Sequence, residues 1–327
     1  MSVTEVILDV DTGVDDALAI MFAVRQPALH VRAITCVAGN AHVDQVVRNT
    51  HAVLTAAGAG AEDIPVARGA ERPLLNAVQD ARFIHGADGL AGLGAAVPRA
   101  GHTASGAVGL LREAILASPT PATLIPLGPM TNIALLLRTH PEVLANLERI
   151  VFMGGSAATG NATAVAEFNV WHDPEAAAIV LGCDVPVTMY GLDVFYQPVV
   201  TTQVSLSWQQ HPDPGVRMTG HLLAHLQGVA GANSRNGGGA ALGEAGAICA
   251  VVEPALLHTE RLPVQVELAP GLSRGQTLVD RRRLLGEDFV HGHQRPVRPV
   301  DVALGVDGPG LADLFTRTVL AVPTRSP

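Results

Sequence analysis

At 327 residues the chain is long enough to bury a large core, and 48% apolar with 16% charged residues is a packed composition, not a disordered one. A net charge of −9 excludes a general nucleic-acid binder, which needs a basic face against phosphates. Cys36, Cys183 and Cys249 lie far apart with no CxxC, which excludes a disulfide framework or a zinc-thiolate site. No apolar run reaches the roughly 18 residues of a membrane span, and the start lacks a basic, then long apolar, leader. The expectation is a soluble cytoplasmic protein, with no nucleic acid and no membrane as partner.

In chain order, residues 6–10 read as a buried strand and 15–25 as a helix. A strand at 31–37 and a helix at 44–57, closed by Gly58, follow. Then come a helix at 105–117, a strand at 123–127, a helix at 131–138, a strand at 149–153, a helix at 174–181 and a strand at 185–190. Continuous β-branched runs between helices predict an α/β fold: a mostly parallel central sheet with helices on both faces. The second half is less regular. A helix is expected at 215–229, a mobile Gly/Asn-rich loop near 230–243, a short helix at 244–252, strands at 262–268 and 300–306, and a closing helix at 311–319. No repeat or long linker divides the chain, so 1–327 is expected to be one domain.

Polar and glycine residues recur where these strands end: Asp11 to Asp16, Gly39-Asn40, Gly128 to Asn132, Gly154-Gly155 and Gly191-Leu192-Asp193. Right-handed crossovers bring strand C-termini to one edge, where open α/β sheets bind ligands. The densest cluster is Asp9-Val10-Asp11-Thr12-Gly13-Val14-Asp15-Asp16. One or two acids at a helix start need only the helix dipole. Four together repel, and a hard cation is the simplest neutraliser; oxygen ligands alone favour Ca²⁺ or Mg²⁺ over zinc.

This segment resembles the DxDPGxDDA signature of the inosine-uridine type nucleoside hydrolases, with Thr12 in place of the proline. Further matches run collinearly: Gly39-Asn40, Ile84-His85-Gly86, Leu127 through Asn132, Met153-Gly154-Gly155, Gly160 through Asn169, Asp173-Pro174-Glu175 and Gly191-Leu192-Asp193. The resemblance implies a Rossmann-like core and metal-dependent hydrolysis of an N-glycosidic bond in a ribonucleoside or related riboside. It implies metal ligation by Asp11, Asp16 and the Leu127 carbonyl, with Asp11 also the general base. Asp15 and Asn169 would hold the ribose 2′- and 3′-hydroxyls, and Asn161 and Glu167 the 5′-hydroxyl. Asn40 would orient ribose and water, and Met153 would line the sugar pocket. A homodimer or homotetramer is likewise implied. Asp173, before Pro174, reads as a helix N-cap.

The pattern breaks on the leaving-group side. A His-Asp pair usual in the family is replaced by Gly243-Glu244, and a Thr-His by Phe195-Tyr196. Glu244 can still ligate a metal; Gly243 can donate no proton. His85 is then the remaining acid candidate, as in some pyrimidine-preferring relatives. Two competing readings stand beside this one. Asp9-Val10-Asp11 also resembles the nucleophile motif of haloacid-dehalogenase-type phosphohydrolases, but these need a second cation, usually lysine, and every basic residue here is arginine. The missing histidine also fits a non-catalytic ribosyl-binding protein that kept its metal.

Overall fold

A computed structural model describes residues 3–59, 63–93, 106–230, 239–284, 286–292 and 297–321. The strands are β1 (Thr4–Val10), β2 (Leu29–Cys36), β3 (Val66–Arg68), β4 (Ala122–Pro126), β5 (Leu147–Met153), β6 (Val187–Tyr190), β7 (Val199–Val200), β8 (Ala240–Ala241), β9 (Leu257–Val266), β10 (Thr277–Val279) and β11 (Pro299–Val306). Nine of them form one sheet in the order β10-β9-β11-β6-β5-β4-β1-β2-β3. From β3 to β11 every neighbouring pair is parallel, and β9 and β10 add an antiparallel edge.

β1 shows why the sheet takes this form. Successive side chains point to opposite faces, and both faces of β1 are covered, one lined by apolar side chains and the other by Ile7 with the buried Asp9. Val6, Leu8 and Val10 join a core built with the helices Val14–Arg25, Val43–Ala57, Ala245–Val252 and Gly308–Leu320. Ile7 joins the opposite core with the helices Gly106–Leu116, Thr131–Thr139 and Pro174–Leu181. The α/β layering expected from the sequence is therefore present, with helices on both faces.

The chain leaves β1 toward β2 and β3, then returns to place β4 on the other side of β1. This reversal opens a crevice beyond the strand C-termini. Asp11 stands at the end of β1 and Leu127 at the end of β4, so both border it.

The antiparallel edge was not expected. β9 is mostly exposed and carries Glu260 and Arg261, so pairing rather than burial holds it and the apolar pattern is faint. The loop expected near 230–243 lies partly outside the described residues, at 231–238. Its end forms β8, antiparallel to β7. No helix among the described residues is long and apolar enough to cross a membrane.

Candidate active site

The turn after β1 brings Asp11 and Asp16 together, and the helix Ala245–Val252 delivers Glu244 from far along the chain. Carboxylate oxygens of the three lie within 4.8 Å of one another, and all three residues are buried. Asp11 Oδ2 accepts the Asn40 backbone N–H at 2.7 Å. Asp16 accepts from the backbone of Asp11 (3.2 Å) and Gly13 (2.8 Å) and from Asn40 Nδ2 (3.1 Å). The backbone is pressed close around Asp11. A Cβ at Gly39 would overlap Asp11 Oδ2, and one at Gly128 would lie 2.7 Å from Oδ1.

This donor set fits a hard cation. Asp11 Oδ1 and Glu244 Oε2 are buried without a hydrogen-bond partner. Burial first, then Asp16, holds the Asp11 carboxyl far above its usual range. Burial and then Asp15 do the same to Glu244 and, less strongly, to Asp16. Three buried, mutually repelling carboxylates are costly unless a positive charge joins them. The oxygen-only set is of the kind that binds Ca²⁺. The Leu127 carbonyl, directly after β4 beside β1, already accepts Asn169 Nδ2 at 2.6 Å, which leaves one lone pair for any other partner.

Of the three carboxylates, Glu244 borders a cavity of about 320 Å³. Asp15, Asn40, His85, Met153, Asn161, Glu167 and Asn169, all expected at the site, line it. Asn169 Nδ2 bridges the carbonyls of Leu127 and Met153 (3.1 Å), tying the ends of β4 and β5 together. Glu167 has a second role that the sequence did not suggest. It is the N-cap of the helix Phe168–His172 and accepts the backbone N–H groups of Gly155, Asn169 and Val170. Burial nevertheless pushes its pKa up to about 7. Asn161 Oδ1 accepts the Phe168 N–H at 2.9 Å. Asp173 is the expected N-cap, accepting from Ala176 N–H and the Thr131 hydroxyl.

The other end of the cavity is aromatic and aliphatic: Phe83, Ile84, Phe168, Phe195, Tyr196 and Leu226. His85 stands where this wall meets the acids. Its Nδ1 accepts the Val14 N–H at 3.2 Å and lies 3.7 Å from Asp15 Oδ1. With Nδ1 accepting, the neutral ring carries its proton on Nε2. Burial holds its pKa below the usual value, with Asp15 opposing. Gly243 has a left-handed backbone, φ +57°. A Cβ there would lie 2.9 Å from Phe195 Cζ, so the Phe195 ring takes the room a side chain at 243 would need.

Two features escaped sequence reasoning. Asp9 and Asn132 brace the floor of the site: Asp9 Oδ1 accepts from Asn132 Nδ2 (2.8 Å) and the Thr35 hydroxyl (2.5 Å), and Asn132 Oδ1 accepts the Ala70 N–H. The buried Asp9 in the otherwise apolar end of β1 was the available clue; Asn132 reaches it from the helix Thr131–Thr139. The walls from Phe83 and from Leu226 left no polar trace in the sequence. A more open groove of about 560 Å³ runs beside β9 and β10, and the acidic triad is not part of its lining.

Residues 6–313 match the family model described as inosine-uridine preferring nucleoside hydrolase. A pyrimidine-specific ribonucleoside hydrolase, RihA, from Shewanella sp. (strain MR-7) is 39% identical over 98% of this chain and 96% of its own length. Among solved structures, the plant nucleoside hydrolase PpNRh1 superposes with a TM-score of 0.88 at 27% identity, over 98% of this chain and 99% of that one. The purine-preferring ribonucleoside hydrolase from Gardnerella vaginalis gives 0.85 at 30%, over 97% and 98%. With the acidic triad at the head of the parallel sheet, this chain belongs to the inosine-uridine preferring nucleoside hydrolase family and is a metal-dependent enzyme that splits the N-glycosidic bond of a nucleoside into ribose and base.

Proposed function

We propose that this hydrolase acts on ribosides with a single-ring aglycone ahead of purine nucleosides, and that the residues named from the sequence divide the work as follows. Asp11, Asp16, Glu244 and the remaining lone pair of the Leu127 carbonyl hold Ca²⁺. When bound, the ion supplies Lewis acidity that makes water easier to deprotonate. Asp11 takes the proton of the attacking water. Asn40 fixes Asp11 through its backbone N–H and Asp16 through its amide, so both carboxylates keep one orientation. Asp15 and the amide oxygen of Asn169 orient the 2′- and 3′-hydroxyls, Asn161 and Glu167 hold the 5′-hydroxyl, and Met153 packs beneath the sugar. As the C1′–N bond stretches, positive charge grows on the ribose ring and these carboxylates stabilise it. His85 presents Nε2–H to the departing base.

The observation that carries the mechanism is Asp11 itself: one oxygen fixed by Asn40, the other buried with no hydrogen-bond partner beside the ribose set. The single-ring preference is supported by the similarity to a pyrimidine-specific hydrolase and by the placement of His85 in the aglycone wall. Chelation followed by Ca²⁺ add-back, read as ribose released from uridine and as heat of Ca²⁺ binding, tests the reading. Full turnover in metal-free protein refutes it. We also propose one domain over 1–327, a cytoplasmic location and a homodimer or homotetramer. The family likeness supports these, and sedimentation equilibrium tests the last.

A further inference from the structure

His85 ends a single-turn helix, Arg82–His85, on which Phe83 is exposed. The ring meets the metal-binding turn through the Val14 N–H at 3.2 Å, and one residue earlier His225 Nε2 donates to the Ile84 carbonyl at 2.8 Å. A proton donor needs firm placing, because a displacement of about 1 Å can cost about 10²-fold in rate. A firmer link between donor and turn comes from outside the cavity, from Asn49 on the helix Val43–Ala57.

Asn49 is fully buried, and its amide reaches both segments. Nδ2 donates to the Thr12 carbonyl at 3.0 Å, inside the turn that carries Asp11 and Asp16. It also donates to the Asp88 carbonyl at 2.9 Å, three residues after His85. Gln45 fixes which way the amide points: its Oε1 accepts from Arg48, and its Nε2 donates to Asn49 Oδ1 at 2.8 Å. Next to Asn49, the Thr50 and Thr12 hydroxyls bond at 2.7 Å, so this helix holds the metal turn twice. The loop held on the other side is closed and strained. Ala91 N–H donates to the His85 carbonyl at 2.8 Å, and Asp88 Oδ1 accepts the Leu90 and Gly92 N–H groups. Ala91 has φ +56°, the only positive φ of a non-glycine among the described residues. Such strain persists where the surroundings over-determine it. A Cβ at Gly89 would lie 3.2 Å from Asn49 Nδ2, so the loop and the amide are in close contact.

We propose that Asn49 is a positioning residue whose amide locks the His85 loop to the metal-binding turn, so that proton donor and cation site keep one spacing. It acts through His85 and through the Thr12 carbonyl. The proposal rests on the reading of His85 as donor to the departing base.

Two substrates are compared on the Ca²⁺-loaded enzyme. The base of uridine leaves as an anion unless it is protonated, whereas the nitrophenolate of 4-nitrophenyl riboside leaves without a proton. Asn49→Ala should lower the ratio of uridine to nitrophenyl kcat/KM about tenfold or more, and should lower it no further in a His85→Ala background. A residue that only supports the fold would reduce both rates together and leave the ratio unchanged. Gln45→Glu carries the test if Asn49→Ala does not fold, since Gln45 is only half-buried and a carboxylate there can still bond Arg48. Its other oxygen can only accept, so it draws Asn49 Nδ2 away and turns Oδ1 toward the two carbonyls; the ratio should fall in the same direction. A ratio that falls in His85→Ala but holds in the folded Asn49→Ala or Gln45→Glu variants overturns the positioning role alone. So does a double variant whose loss is the product of the two single losses. A ratio unchanged in His85→Ala overturns the reading of His85 as donor, and the positioning role with it.

Discussion

Gly243 and Phe195 compete for one space: a Cβ on Gly243 would lie 2.9 Å from Phe195 Cζ, at a backbone φ of +57°. Restoring a histidine at 243 therefore requires the ring to move. Gly243→His alone should lose about 2 kcal/mol of stability from backbone strain and overpacking, and should gain no inosine cleavage. Adding Phe195→Thr should recover part of the stability and allow inosine turnover to rise. Melting curves and kcat/KM for the four corners of the cycle give the coupling. A single variant as stable as wild type would show that the ring yields freely.

Asp11→Asn should reduce turnover about 10²–10⁴-fold, because an amide can ligate but cannot take a proton from water. The Asn40 N–H to Asp11 Oδ2 bond can persist to the amide oxygen, so folding should survive. Ca²⁺ affinity and product-ribose affinity, measured by calorimetry, should fall far less than kcat. Turnover within a few-fold of wild type would remove Asp11 from the role of base.

The parts of this molecule that could be read from sequence are those fixed by local periodicity or by a compact motif. β1, β2, β4, β5 and β6 were legible because apolar side chains cover both of their faces. Asp11, Asp15 and Asp16 were legible because one turn carries them. Glu244 arrives on a distant helix, and only the family resemblance joined it to them. β9 gave a faint trace because cross-strand pairing holds it rather than burial. The Phe195 ring beside Gly243 could not be foreseen, since it depends on a backbone angle and on an approach between segments far apart in the chain.

His172 should make stability depend on acidity. It is 2% exposed, stacks near Phe168 with centroids 5.5 Å apart, and neither ring nitrogen has a hydrogen-bond partner. Burial pushes its pKa down to about 4, against about 6.5 in an unfolded chain. The unfolded state then binds the proton more readily. The stability this histidine allows is intact above pH 6.5 and is lost as pH falls toward 4, by about 2 kcal/mol at pH 5. His172→Phe keeps an aromatic ring and removes the proton site, so its melting temperature should fall less between pH 7 and pH 5. Parallel curves for the two proteins would mean that the ring is hydrated or already paired.

His85 can be separated from the rest of the site by its tautomer. The Val14 N–H donates to Nδ1, so Nε2 bears the proton in the neutral ring, which burial favours. A Cβ at Gly13 would come within 2.8 Å of Nδ1, so the imidazole is seated against a glycine that leaves room for it. If Nε2–H serves the departing base, His85→Ala should lower uridine cleavage about 10²-fold, the lower range for general acid catalysis. The ratio of uridine to nicotinamide riboside turnover should fall with it, because a pyridine leaves without a proton. His85→Gln divides the remaining possibilities. Its amide can donate a hydrogen bond but cannot give up a proton. Recovery of the ratio in the Gln variant would assign His85 a hydrogen-bonding role, and persistent loss would assign it the proton. A ratio unchanged in both variants would exclude His85 from leaving-group chemistry, since neither the bond nor the proton would then have passed through this ring.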